Sequence, residues 1–245
     1  MKKLIVLLMV LPSLVWASGG EVKLQSANTD LTDTASLQNG AKLFVNYCLS
    51  CHSAKFMRFN RMGKDLGLTD DQVAQNLMFT ADKVGSTMNV AMTAEDGKRW
   101  FGVTPPDLSV IARARGVDWL YTYLLTFYED DKRPTGTNNL VFPDVGMPHV
   151  LWELQGRQKA VKETITGADG HAHEMIVGVE PADDAAKAKA ASYKKEVRDL
   201  VAYLEYMGEP AKTTRLAMGP YVLGFLFLFL IVAFILKKEY WRDIH

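Results

Sequence analysis

Cysteine is scarce in this chain: only Cys48 and Cys51 occur among 245 residues. A structural zinc site asks for four ligands. There is no second cysteine pair, and His149, His171, His173 and His245 show no partner spacing of that kind, so the zinc reading fails. An excess of charge of one sign is also missing. The 28 basic residues are matched by 28 acidic ones, and nothing in the composition suggests a nucleic-acid surface. Internal repeats and low-complexity segments are absent too. Once the two ends are subtracted, the length fits one large or two small domains.

What the two thiols do have is an imidazole directly behind them, in Cys48-Leu49-Ser50-Cys51-His52. Two cysteines three apart followed by histidine is the pattern for covalent attachment of a c-type haem. Each thiol adds across one vinyl group, and His52 then lies under the ring with a nitrogen on the iron. The rival, a redox-active dithiol, usually sits at a helix start after a strand. Here the motif follows a helical pattern instead. Leu37, Ala41, Phe44, Val45 and Cys48 recur at helical spacing, with Asp33 or Thr34 available as the cap. That helix delivers the cysteines from its C-terminal end.

An electron-transfer haem with two strong axial ligands needs a second donor, and a thioether from a distant loop is a common one that raises the potential. Met147, in Gly146-Met147-Pro148, lies 95 positions beyond His52, far enough for the intervening helices to wrap the ring. His149 would give bis-histidine ligation and a lower potential. Met88 and Met92 are weaker rivals, because methionine is more often packing, and an open iron site is a further alternative.

The ends carry their own signals. Met1-Lys2-Lys3, an apolar run from Leu4 to Trp16 and then Ala17-Ser18-Gly19-Gly20 read as a signal peptide cleaved after Ala17. Leu216 to Leu236 holds 21 residues without a charge, enough for a helix of about 31 Å and a membrane crossing. Lys237, Lys238 and Arg242 follow the span while Lys212 and Arg215 precede it, a bias too weak to set orientation alone. The exported N-terminus sets it, leaving the tail from Lys237 to His245 in the cytoplasm.

Between the ends, Glu21 to Thr34 reads as a loop or extended arm, and the basic, aromatic stretch from Ser53 to Gly67 as packing at the haem edge. Thr69 caps a short helix through Asn76 or Phe79. Ala81 to Gly102 is expected to be irregular. Pro105-Pro106 fixes an extended segment before helices over 110–115 and 118–128, and Asp130 to Asp144 is a loop by composition. Gly156 to Pro181 reads as a hairpin turning at Ala168-Asp169-Gly170, with His171 and His173 beside the turn as exposed polar residues or, less plainly, a surface metal site. Asp183 to Met207 is a long helix ended by Gly208 and Pro210. Asp70-Asp71 and Glu129-Asp130-Asp131 are solvated loop charge, with steering of a basic partner as the alternative.

In their order, several segments resemble cytochrome c1, the haem subunit of the bacterial quinol–cytochrome c oxidoreductase, or cytochrome bc1 complex. These are the haem motif continued through Ser53 to Met62, Pro105-Pro106-Asp107-Leu108-Ser109, Ala114-Arg115, Met147-Pro148, Val197 to Val201, and Tyr206 to Pro210 before one C-terminal span. The resemblance covers nearly the whole mature chain. It implies a mainly α, c-type cytochrome domain with long loops and a small β-hairpin, plus one C-terminal transmembrane helix. The resulting division is 1–17 signal peptide, 18–211 periplasmic haem domain, 212–236 linker and membrane helix, and 237–245 cytoplasmic tail in a bacterial inner membrane.

The resemblance further implies one covalently attached c-type haem, with Cys48 and Cys51 as its attachment points and His52 and Met147 on the iron. It places Arg115 near a haem propionate and a Pro106 or Pro105 carbonyl on the far nitrogen of His52. Its partners would be cytochrome b, a Rieske iron–sulfur subunit as electron donor, and a soluble or tethered cytochrome c as acceptor, in a dimeric complex. The subunit would relay electrons without a catalytic side chain of its own. A membrane-anchored cytochrome feeding an oxidase directly, and a haem sensor with an open iron site, are the competing functions.

Overall fold

The computed structural model describes residues 22–166 and 172–244; the signal segment with its cleavage point, the Asp169-Gly170 turn, His171 and His245 lie outside the described residues. The chain enters as an extended arm whose backbone is held by side chains. Thr122 Oγ1 accepts from the Gln25 amide at 2.8 Å and Asp118 Oδ1 from the Ala27 amide at 2.8 Å. Helix α1, Thr34–Leu43, then starts at the Asp33 cap, whose carboxylate accepts from the Ser36 amide.

α1 continues into one π-helical turn, Phe44–Cys48, closed by the Leu49 amide on the Phe44 carbonyl at 3.0 Å. Such turns insert a residue into the helical ladder and are frequent at functional sites. This one ends on Cys48. Strand β1, Ala54–Arg58, and helix α2, Phe59–Asp65, take up the basic, aromatic stretch, with Phe59 and Met62 fully buried. Helix α3, Asp70–Asn76, carries a full capping box between Thr69 and Gln72.

The segment expected to be irregular is partly ordered. It contains β2, Thr87–Met88, antiparallel to β1, and helix α4, Ala94–Phe101, capped by Thr93 and stopped by left-handed Gly102. Of α4 only Gly97 is buried, so no apolar stripe betrays it in the sequence. Helix α5, Ile111–Arg115, and α6, Val117–Leu125, follow. α6 is shorter than its composition suggested. Phe127–Glu129 leaves the helix to form β3, paired antiparallel with β4, Thr137–Asn139, inside the stretch read as loop.

After the one-turn helix α7, Trp152–Gln155, the hairpin of β5, Gln158–Thr166, and β6, Ala172–Pro181, pairs in register with a bulge at Val161/Lys162. Gly156 makes the entry possible: at φ +82° it lies against the start of the next helix, where a Cβ would come within 2.6 Å of the Ala186 backbone. Two long helices follow, α8, Asp184–Gly208, and α9, Lys212–Tyr240, and a 3-10 turn, Arg242–Ile244, comes after them.

α8 is the spine of the core. Val197, Leu200, Val201, Tyr203 and Leu204 are buried in one cluster with Leu37 and Ala41 of α1 and Phe44 of the π turn. The Phe44 and Tyr203 rings lie 5.5 Å apart where the helices cross. Buried Asp199 ties the crossing, accepting from Ser36 Oγ at 2.7 Å, Asn39 Nδ2 at 2.8 Å and Lys195 Nζ at 2.8 Å. α9 buries none of its residues against the rest of the chain. Its 29 residues extend about 43 Å, ample for a bilayer. Ion pairs of Glu205 with Lys212 and of Glu209 with Arg215 fasten its first turn to the end of α8.

Candidate haem-binding site

The motif sits where the π turn ends. The Cys51 and His52 amides both return to the Cys48 carbonyl, at 3.0 and 2.8 Å, so the pentapeptide closes on itself as a tight turn. Both thiols are half-buried and free of a disulfide. Burial pushes the Cys48 thiol up to about 12, so it stays protonated at neutral pH.

The segment from Pro106 to Ser109 lies alongside and is riveted to the motif. Pro106 O accepts from His52 Nδ1 at 2.7 Å; a carbonyl can only accept, so this nitrogen carries the proton and Nε2 is left as the donor atom for a metal. The Ser53 carbonyl accepts from the Leu108 amide at 2.8 Å. Asp107 Oδ2 accepts from the Lys55 amide at 3.0 Å, and Ser109 Oγ from the Phe56 amide at 3.1 Å. Burial lowers the pKa of His52 more than the Pro106 carbonyl and the Asp107 charge raise it. The imidazole is therefore neutral at pH 7, the form that binds metals.

Met147 is built into a second cluster, on α6. Trp119 and Tyr123 lie one turn apart on α6, and Arg115, the last residue of α5, reaches Trp119 across Gly116. Trp119 stacks on Tyr123 at 5.0 Å and 9°, Tyr123 meets Phe127 edge-on at 5.1 Å, and Tyr123 Oη donates to Met147 Sδ at 3.3 Å. Burial keeps that phenol far above its ordinary pKa, hence protonated. The Arg115 guanidinium lies over Trp119 at 5.0 Å and near Phe142 at 6.0 Å.

The rest of the Met147 loop is pinned by two buried asparagines. Asn139 Oδ1 accepts from the Val141 and Phe142 amides while its Nδ2 donates to the Tyr123 carbonyl at 2.7 Å. Asn138 Oδ1 accepts from the Asp144 amide, which lets Asp144 adopt φ +62°. At Gly146 a Cβ would approach the Phe101 carbonyl to 2.9 Å.

The rivals for the second ligand are placed differently. Met88 is completely buried in the core, where Tyr203 Oη donates to its sulfur at 3.6 Å. Met92 packs beside Gly97. His149 lies flat on Phe127 at 4.8 Å, its pKa pushed down to about 4 by burial, with Nε2 buried and unpartnered. Gln155, whose Oε1 is also buried and unpartnered, is its polar neighbour and offsets part of that shift. Among the described residues no group of three or more His, Cys, Asp or Glu side chains could hold a metal ion, and His171 of the hairpin lies outside them.

The donor set fits a covalently attached haem: two unpaired thiols beside an imidazole whose other nitrogen is engaged, and a thioether held on a separate loop. Residues 25–244 match the model of the cytochrome C1 family. The chain belongs to the cytochrome c1 family. It is 49% identical to cytochrome c1 of Allochromatium vinosum, with each chain covered in full, and 27% identical to that of Rhodospirillum rubrum over 86% of this chain and 83% of the relative. A protein of Nitrosomonas europaea named ammonia monooxygenase gamma subunit is 48% identical over all of this chain and 98% of its own.

As a member of this family, the chain is a haem electron-transfer subunit of a cytochrome bc1 complex, whose family implies cytochrome b and Rieske partners; it carries a covalent c-type haem with its iron, and α9 is long and apolar enough to anchor it in a membrane. Sequence reasoning passed over Tyr123, Asp107 and Asn139. The one sequence signal for the first is its place on the same helix side as Trp119 and Phe127.

Proposed function

We propose that this subunit accepts one electron at a time from the Rieske iron–sulfur cluster and passes it to a soluble or tethered cytochrome c. The haem supplies a one-electron couple at its iron. Cys48 and Cys51 would hold it through thioethers, and His52 Nε2 and Met147 Sδ would be the ligands of its iron. The Pro106 carbonyl fixes the imidazole and, by drawing on its N–H, raises its basicity. Arg115 sits at a propionate, where a planar guanidinium can pair with carboxylate.

No side chain here needs to move a proton, so the role is relay and not catalysis. Ligands on both faces keep oxygen and substrate from the metal. The 2.7 Å contact of His52 with Pro106 carries the reading, because it fixes the imidazole with Nδ1 protonated and leaves the lone pair on Nε2 for a metal.

In the same reading the segment 1–17 is removed after Ala17, residues 18–211 work in the periplasm, 212–236 form linker and span, and 237–245 stay in the cytoplasm of a bacterial inner membrane, within a dimeric complex. The deciding experiment is the optical spectrum and midpoint potential of the membrane-bound protein beside Met147→Leu. A six-coordinate, high-potential haem whose variant falls by at least a hundredfold in its reduction equilibrium, about 120 mV for one electron, or binds carbon monoxide, supports the assignment. An unchanged variant overturns it in favour of His149 or another donor. Co-purification of cytochrome b and a Rieske protein tests the assembly against the one named in the Nitrosomonas relative.

A further inference from the structure

Among the described residues two tyrosine hydroxyls point at methionine sulfurs, and they do different things. Tyr203 and Met88 are both fully buried, so their contact belongs to core packing. Tyr123 and Met147 are half-buried, on separate elements, and the tyrosine is fixed from several directions. Trp119 stacks on one face of its ring and Phe127 meets it edge-on. One amide side chain, Asn139, binds both the Tyr123 carbonyl and the backbone of the loop that leads to Met147. Donor and acceptor are therefore held in one frame, and the 3.3 Å separation does not depend on a free rotor finding its partner.

We propose that Tyr123 is a positioning residue for the iron, donating its O–H to the thioether of Met147 so as to fix the sulfur and draw electron density from it. The inference rests on Met147 being the distal ligand. A thioether has little donor capacity to share, and a hydrogen bond to it leaves less for the metal. Ferric iron needs that donation more than ferrous iron does, so the hydroxyl favours the reduced state and raises the potential. Trp119 extends the frame: the same indole supports Tyr123 and lies under Arg115, the last residue of α5.

The test uses the full chain with haem attached, in its membranes, comparing wild type, Tyr123→Phe and Met147→Leu. Tyr123→Phe is expected to lower the ferrous-to-ferric ratio at fixed potential about threefold, or ~28 mV for one electron, and to move the far-red sulfur-to-iron charge-transfer band of the ferric haem. A merely structural role would lower the melting temperature and leave potential and band in place; that result overturns the inference while Met147 keeps its ligand role. If Met147→Leu itself retains the wild-type band and potential, the ligand assignment fails, and the inference with it.

Discussion

Asp199 shows how one residue can set the acid limit of the fold. Its carboxylate is 3% exposed yet charged. Burial pushes its pKa up, but the hydrogen bonds from Lys195, Ser36 and Asn39 outweigh it and hold the group below its ordinary value. A carboxylate with a depressed folded pKa contributes stability that is complete above the unfolded value, about 3.9, and is lost as pH falls through the folded value. Asp199→Asn should therefore cost about 1–3 kcal/mol at pH 7 and flatten the loss of stability below about pH 4. Denaturant melts of the haem-loaded protein at pH 3 to 7 check this, and parallel curves for the two proteins would refute it. Residue by residue, legibility in the sequence was uneven. The pentapeptide announced itself because covalent attachment demands that spacing. Tyr123, Asp107 and Asn139 did not, because a hydroxyl, a carboxylate and an amide acquire their roles only from what the fold sets opposite them.

At the level of elements, the crossing of α1 with α8 is decided by Gly40. A Cβ there would lie 2.1 Å from the Asp199 carbonyl oxygen and 2.6 Å from Tyr203 Cβ. In an open helix Gly→Ala stabilises by about 0.8–1.0 kcal/mol, but here the obstacle is backbone, which cannot give. Gly40→Ala should destabilise by roughly 3 kcal/mol or more, pushing α1 and the attached Cys48 turn away from α8. The measurement is the thermal melt together with the yield of covalently haem-loaded protein; a wild-type melt would refute the close crossing. The elements that could be read in advance had either a cap or a long stripe: α3 with Thr69, α8 with its apolar positions, α9 by length. α4 had Thr93 and Gly102 at its ends but no buried stripe to signal it. The end of α6 was misjudged because Phe127 and Tyr128 suit either structure, and pairing with Thr137–Asn139 draws them into a strand.

Over the whole molecule, α9 is separate from the body that holds the haem motif. No residue of α9 is buried against that body, and its first turn meets the body's edge through ion pairs of Lys212 with Glu205 and of Arg215 with Glu209. The core cluster runs from Ala27 to Met207 and includes nothing from the span. Its large aromatic and aliphatic side chains, 64% exposed at Phe234 and 63% at Leu230, have no protein to cover them in this chain and are suited to lipid. The acidic clusters are partly spent within the body: Asp70 and Asp71 occupy the first turn of α3, and Asp130 accepts from Asn138 in the β3–β4 turn. Removing residues 212–245 should then yield a soluble protein with covalent haem. Its midpoint potential and melting temperature should match those of the full chain in detergent, because neither ligand cluster nor core draws on the span. Losing the Lys212 and Arg215 ion pairs should cost at most about 1 kcal/mol each, as partly exposed pairs do. Redox titration and calorimetry of the truncated protein measure both quantities. A shifted potential, or failure to retain haem, would mean that the membrane helix supports the site, and that the boundary near Ala211 does not separate a domain from its anchor.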